Sequence, residues 1–207
     1  MKKNRTLFSI LAIMVLGVAA CSPAPVDEPT VLVEAAPEEE VVIDQEPQPV
    51  IGEESAPANP QYPNWYTTSL VDVNTGESFS IQENIGKVYL VETLATWCSN
   101  CLQQQQEVKS FHELLGERDD FESLGVNIDP NEDVNLLTGY VQKNGFDWKY
   151  VVASNEMIDE ISSLYGPQFL NPPSTPMLII DKQGNAHPLK FGIKSAQELL
   201  EAVEPYL

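Results

Sequence analysis

Basic residues are scarce in this 207-residue chain: eleven Lys and Arg stand against 31 Asp and Glu, and the formal net charge is −20. Lys2, Lys3 and Arg5 supply three of the eleven, so the remainder of the chain is even more acidic. A chain with this much net negative charge repels the phosphates of nucleic acids and anionic membrane surfaces. The composition therefore argues against nucleic-acid binding, and we interpret the charge as a source of solubility rather than as a site.

Cysteine is also scarce, and the three residues are Cys21, Cys98 and Cys101. In an exported protein, an odd number leaves one cysteine without a disulfide partner and needs an explanation. Residues 1–20 offer one, because they run from a basic start through a short apolar stretch to small residues, the layout of a secretory signal peptide. The apolar stretch is shorter than the roughly 20 residues that span a bilayer.

The segment 18–21 (VAAC) resembles a bacterial lipobox, and this resemblance implies that Cys21 is lipidated and becomes the new N-terminus. Several acyl chains together would anchor the protein firmly in the membrane. A plain signal peptide and an uncleaved N-terminal anchor are the alternatives. All three place the rest of the chain outside the cytoplasm.

A segment of different composition follows the cysteine. Residues 22–64 contain nine prolines and ten acidic residues but no Lys or Arg. Low hydrophobicity with high net charge cannot offset the entropy lost on ordering. We therefore predict that residues 21–64 are a disordered, acidic, proline-rich linker that starts at the lipidated cysteine.

Residues 65–207 have the pattern of a single α/β domain. A hairpin with strands at 66–73 and 78–81 is predicted around residues 74–76, followed by a buried strand over 87–95 and a helix from about Cys98 that Gly116 ends. Strands are then predicted at 121–128, 149–153, 177–181 and 187–191, and helices at 133–144, 156–165 and 195–203. This alternation predicts a central sheet flanked by helices. Within the first helix, we interpret the run 103–106 (QQQQ) as a solvated face.

The pair Cys98 and Cys101 carries the chemistry. Two cysteines separated by two residues at the start of a helix can close a small disulfide. The helix N-terminus favours a thiolate at Cys98, which would be the nucleophile, and Cys101 would resolve the mixed disulfide. A zinc half-site lacks further ligands, since only His112 and His187 remain, so no metal is expected. A static structural disulfide is the other alternative.

The run 94–101 (LATWCSNC) after an apolar strand resembles the active site of the thioredoxin family, especially its membrane-anchored TlpA/ResA-like branch. The segments 74–76 and 85–87 resemble the N-terminal hairpin of that branch, and 174–184 (STPMLIIDKQG) resembles the family's cis-proline segment. The resemblance implies a thioredoxin fold with a mixed sheet and an N-terminal β-hairpin extension. It also implies a cis bond before Pro176, beside Cys98, where backbone groups of Thr175 pair with substrate. Trp97 is expected to shield the cysteines and, with Thr175, to bind substrate.

Glu92 lies six residues before Cys98, at the position of the buried proton-transferring Asp of thioredoxins. An apolar environment would raise its pKa and suit it to acid–base work; an edge-facing or salt-bridged Glu is the alternative. Many members of the branch place a Glu where this chain has Gln104, so Glu92 is expected to take over that role. The segment 167–173 is longer than usual and either shapes a substrate groove or is a neutral insertion.

The resemblance implies a thiol–disulfide oxidoreductase without a cofactor that reduces disulfides of exported proteins, with cytochrome c maturation as one setting. Its electrons would come from a membrane thiol carrier, and we expect a monomer held by the lipid anchor. Two alternatives remain: a thiol oxidase, and a thioredoxin-like lipoprotein that binds a partner without catalysis.

Overall fold

The structure is a computed structural model and describes residues 62–207. In chain order, its helices and strands are α1 (Asn64–Thr67), β1 (Leu70–Val71), β2 (Ser78–Phe79), β3 (Val88–Leu94), α2 (Ser99–Leu115), β4 (Phe121–Asn127), α3 (Val134–Asn144), β5 (Lys149–Val152), α4 (Asn155–Tyr165), β6 (Met177–Ile180), β7 (Ala186–Pro188) and α5 (Ala196–Val203). Most of these elements were predicted from the sequence at nearly these positions. The predicted signal peptide, the lipidated Cys21 and almost all of the linker lie outside the described residues.

A mixed five-stranded sheet forms the centre of the domain, in the order β5-β4-β3-β6-β7. Strands β3, β4 and β5 are parallel, whereas β6 pairs antiparallel with β3 and with β7. Every residue of β3 is buried, as expected for a central strand covered on both faces. This confirms the predicted α/β class with a mixed sheet.

Helices cover both faces of the sheet. Buried apolar residues of α2, α3 and α5 pack with one face, and those of α1 and α4 pack with the other. Alternate residues of β3 join the two cores, so Leu90 and Leu94 face α2 while Tyr89 and Val91 face the opposite layer. Glu92 lies between Leu90 and Leu94 in this alternation, and its side chain therefore points toward α2.

The predicted N-terminal hairpin is present as the two short strands β1 and β2, paired at Leu70 and Phe79. It attaches to the sheet beside β5, because the amide of Val73 donates to the carbonyl of Tyr150 at 2.9 Å. The prediction that the first strand begins at Tyr66 was wrong. Residues 64–67 form the short helix α1 instead, since the Glu160 carboxylate accepts hydrogen bonds from the Asn64 and Trp65 amides, both at 2.8 Å.

The helix ends follow the capping rules that the sequence suggested. The Asp133 carboxylate accepts from the Leu136 amide at 2.9 Å at the start of α3, and Gly145 ends that helix with a left-handed φ of 64°. Ser195 forms a capping box with Glu198 at the start of α5. These caps fix the lengths of the helices and so help to hold α2 over the end of β3.

Candidate active site

The end of β3 leads into the cysteine pair, which lies beyond the carboxyl end of the central strand. After Leu94 the chain turns, with the Cys98 amide donating to the Ala95 carbonyl at 3.2 Å, and α2 begins at the next residue. Cys98 is the N-cap of α2, and its sulfur accepts a hydrogen bond from the Cys101 amide at 3.1 Å. Cys98 and Cys101 form a disulfide, with their Cα atoms 5.2 Å apart.

The electrostatic setting of Cys98 favours a negative sulfur. The cap places Sγ at the positive end of a 17-residue helix whose first turn carries no acidic residue. A thiolate formed on reduction of the disulfide would be stabilised by these backbone amides, which lowers the pKa of such a thiol. The arrangement can therefore present a nucleophilic sulfur at neutral pH.

Glu92 is buried beneath the first turns of α2. One of its carboxylate oxygens accepts from the Gln105 amide group, whose oxygen in turn accepts from the Tyr150 hydroxyl. The other oxygen has no hydrogen-bond partner within residues 62–207. Burial raises the Glu92 pKa to about 8, although the Gln105 hydrogen bond and the positive charge of Lys194 act in the opposite direction. The structure thus places Glu92 in the interior and not at an edge or in a salt bridge.

The prediction that residues 103–106 form a solvated helix face was wrong for two of them. Gln104 and Gln105 are both fully buried, at 0% and 1% exposed. Gln104 accepts from the Lys194 amide at 2.7 Å and donates to the Lys194 carbonyl at 3.1 Å. Because these partners come from distant segments, periodicity along the helix could not reveal them. Gln104 therefore ties α2 to the 192–194 loop, and Gln105 positions Glu92.

Trp97 lies beside the disulfide but mostly in solvent, with 61% of its surface exposed. Its indole nitrogen donates to Asp129 at 2.6 Å. The preceding residue, Thr96, donates its backbone amide to Glu132 at 2.9 Å, and its hydroxyl also donates to that carboxylate. The loop after β4 thus fixes the turn before Cys98, a role for Glu132 that no sequence motif signalled.

Thr175 and Pro176 lie between the turn that contacts Cys101 and the start of β6. The Pro176 carbonyl accepts from the Thr93 amide at 3.2 Å, which joins this segment to β3 next to Glu92. Thr175 is fully buried. Its backbone amide donates to Pro172 at 2.8 Å, and its carbonyl accepts from Lys194 Nζ at 3.1 Å. The residues expected to bind substrate are therefore brought to the site, but their backbone groups already have partners.

The long segment before Thr175 is ordered as two 3₁₀ turns, Pro167–Leu170 and Pro172–Ser174. The carbonyl oxygen of Pro172 lies 3.2 Å from Cys101 Sγ, and Asn100 Nδ2 donates to the Pro173 carbonyl at 2.8 Å. The segment thus contacts the disulfide directly.

The part of the chain from residue 62 onward contains no cluster of metal-ligating side chains. None of its helices is long and apolar enough to cross a membrane.

No protein-family model matches the chain, and no curated protein matches it significantly. Solved structures do match. A thiol:disulfide interchange protein of the thioredoxin family from Chlorobium tepidum is 23% identical, with a TM-score of 0.56 over 67% of this chain and 92% of that one. A secreted thiol-disulfide isomerase from Corynebacterium glutamicum is 17% identical, with a TM-score of 0.55 over 67% of this chain and 82% of that one.

A third similar structure is a secreted Mycobacterium tuberculosis disulfide oxidoreductase described as homologous to E. coli DsbE. It is 14% identical, with a TM-score of 0.53 over 67% of this chain and 95% of that one. These likenesses show that the chain has the thioredoxin fold, as the run LATWCSNC and the segment around Pro176 led us to expect.

Proposed function

We propose that the chain is a thiol–disulfide oxidoreductase that acts outside the cytoplasm and reduces disulfides of exported proteins. The observation that carries this proposal is the Cys98–Cys101 disulfide at the N-terminus of α2. Three structures of the same fold are described as thiol–disulfide proteins, two of them as secreted, which supports both the chemistry and the compartment. The lipobox-like sequence at Cys21 supports a membrane tether.

The reaction begins with the reduced pair. The Cys98 thiolate attacks one sulfur of a substrate disulfide, which breaks the substrate S–S bond and releases one substrate thiolate. Cys101, one turn further along α2, then attacks Cys98 Sγ in the mixed disulfide, which forms the Cys98–Cys101 bond and releases the second substrate thiolate. Two electrons have passed to the substrate. A membrane-embedded thiol carrier would return two electrons to the pair, and apocytochrome c is one candidate substrate.

Glu92 would accept the proton of the Cys101 thiol in the second step. With a pKa of about 8, the carboxyl is mostly protonated at neutral pH, so the thiol proton is accepted by the fraction of molecules in which Glu92 is ionised. Gln105 holds it one turn after Cys101 on α2, and Lys194 supplies a nearby positive charge when the carboxylate forms. Proton transfer from a buried thiol thus has a buried acceptor of suitable pKa.

Single-cysteine variants test the proposal. In the catalysed reduction of insulin disulfides by dithiothreitol, we expect Cys98→Ser to lower the rate to that of dithiothreitol alone. Cys21→Ser is the matched control, since the same substitution outside the pair should leave the rate of the purified protein unchanged. Cys101→Ser should accumulate a covalent mixed disulfide at Cys98. Full activity in Cys98→Ser would contradict the proposal, and an inactive wild-type chain would favour a non-catalytic binding role.

A further inference from the structure

The disulfide is covered in this structure. Cys98, the expected nucleophile, is only 2% exposed, and Cys101 is fully buried. The turn Pro172–Ser174 lies against the pair, since it contacts Cys101 through the Pro172 carbonyl and Asn100 through the Pro173 carbonyl. A thiol–disulfide exchange reaction needs access to a sulfur of the disulfide, and this turn contacts one of the two.

The same turn also forms a hydrogen bond with the Thr175 backbone, which a substrate strand would need for pairing. The amide of Thr175 donates to the Pro172 carbonyl within the turn, and the Thr175 carbonyl accepts from Lys194. An extended peptide that pairs with Thr175 must replace the Pro172 contact. One turn therefore contacts both the disulfide and the backbone of Thr175.

The closed arrangement holds Thr175 in an unfavourable conformation. Its φ and ψ are 45° and 61°, and it is the only non-glycine residue with a positive φ in the described part of the chain. Thr is β-branched, which makes the left-handed region costly, and a residue that precedes proline is also driven toward extended conformations. Opening of the turn would let Thr175 adopt the extended backbone that strand pairing requires.

The two 3₁₀ turns of this segment are held by different contacts. Phe169 is buried in the core, and its carbonyl accepts from the Thr93 hydroxyl at 2.6 Å, so the first 3₁₀ turn is anchored to β3. Beyond it, Asn171 and Pro173 are exposed. The contacts that hold the second turn to other segments include the Asn100–Pro173 hydrogen bond and one from the Gly192 amide to the Ser174 carbonyl at 2.8 Å. Asn100 is the side chain that joins the turn to the helix bearing the cysteines.

We propose that the turn Pro172–Ser174 is a cap that a substrate strand displaces, and that Asn100 is the latch that keeps it closed. The inference rests on the proposed function, because it describes access to the same disulfide. In the closed state, small reagents and folded surfaces are kept from Cys98. A partner with an extended segment around its disulfide can take over the Thr175 backbone and open the cap. Asn100 is thus a specificity-determining residue, and its place between the two cysteines couples the latch to the reacting pair.

Stoichiometric reduction of the oxidised full chain tests the latch. Dithiothreitol supplies two electrons and two protons, its two thiols become a cyclic disulfide, and Cys98 and Cys101 become thiols. The reaction is quenched with an alkylating agent, and the tryptic peptide 88–109, which contains both cysteines, is quantified by mass spectrometry. We expect Asn100→Ala to be reduced about three- to ten-fold faster than wild type, the factor for loss of one net hydrogen bond that favours the closed state.

Ser99→Ala is the matched control, because Ser99 lies in the same dipeptide, is exposed and makes no side-chain hydrogen bond to the cap. Its rate should stay near that of wild type. Equal rates for Asn100→Ala and Ser99→Ala would overturn the proposal. If Asn100→Ala fails to fold, Ser174→Ala decides in its place, since it removes the Ser174 hydroxyl bond to Asn171 at 2.8 Å inside the cap and should also speed reduction.

This experiment does not depend on turnover. A disulfide in an inactive protein can still be reduced by dithiothreitol. A lack of insulin reductase activity would therefore contradict the proposed function without changing the outcome of the Asn100 experiment. Conversely, the wild-type protein could be active while Asn100→Ala is reduced no faster than Ser99→Ala. That result would support the proposed function and refute the cap proposal.

Discussion

Replacement of Glu92 by Gln should make the protein more stable at high pH. The Glu92 pKa is about 8 in the folded protein, against an ordinary value of 4.5, because the carboxyl is buried. Its folded pKa is raised, so the stability linked to its proton is fully present below pH 4.5 and is lost as the pH rises through about 8. Gln keeps a neutral group of the same shape next to Gln105 at every pH.

The size of the effect follows from the pKa difference. Each pKa unit corresponds to about 1.4 kcal/mol, so the wild-type free energy of unfolding should fall relative to that of Glu92→Gln by roughly 3–5 kcal/mol between pH 4 and pH 9. The assay is urea unfolding followed by circular dichroism, with the Cys98–Cys101 disulfide intact and any thiol at Cys21 blocked. The difference between variant and wild type is read at each pH, which cancels other titrating groups.

Glu113→Gln is the matched control, since it makes the same substitution at an exposed position on α2. Its stability difference from wild type should change little with pH. A Glu92→Gln difference that stays constant within about 1 kcal/mol from pH 4 to pH 9 would refute the reasoning, because a buried carboxyl with a raised pKa must be linked to folding.

Two further predictions concern stability. Burial lowers the His112 pKa, so protonation of His112 opposes folding and its contribution to stability should fall as the pH drops below about 6.5. The free energy of unfolding of His112→Gln minus that of wild type should therefore rise between pH 7 and pH 5 in the same urea assay, and a constant difference would contradict this. A methyl group at Gly125 would meet the Tyr150 ring, so Gly125→Ala should cost about 1–3 kcal/mol. Gly139→Ala, in α3 with open space around it, should instead gain about 0.5–1 kcal/mol, and similar effects at both glycines would show that the packing argument fails.

Local signals in the sequence predicted most of the fold. The apolar run before the cysteines is β3, the helix predicted at 133–144 is α3, and the helix predicted at 195–203 is α5. Each of these depends on side chains within a few residues of one another, so the pattern along the chain contains the necessary information. The same holds for Cys98, whose place at a helix start follows from the strand that precedes it.

Features that depend on distant partners were not predictable. Gln104 and Gln105 have the composition of a solvated face, but hydrogen bonds to Lys194, Glu92 and Tyr150 make their burial possible. Tyr66 has high strand propensity, yet the Glu160 carboxylate supports the helical turn that contains it. In each case a tertiary contact outweighed the local preference.

The cap illustrates the same limit at the site itself. The sequence marked residues 167–173 as longer than usual, with two adjacent prolines, but gave no indication of where the segment would fold. Its contact with Asn100 and the disulfide depends on how α2 and the start of β6 meet across the sheet.

The reduction potential of the Cys98–Cys101 pair tests the central claim most directly. The full chain would be equilibrated across thiol–disulfide buffers, and the redox state of peptide 88–109 read by alkylation and mass spectrometry. We expect a potential near or below about −230 mV, in the range of reducing members of the fold. A value near about −120 mV would contradict a reductase and favour the thiol oxidase, and a pair that never changes state would contradict any enzymatic role.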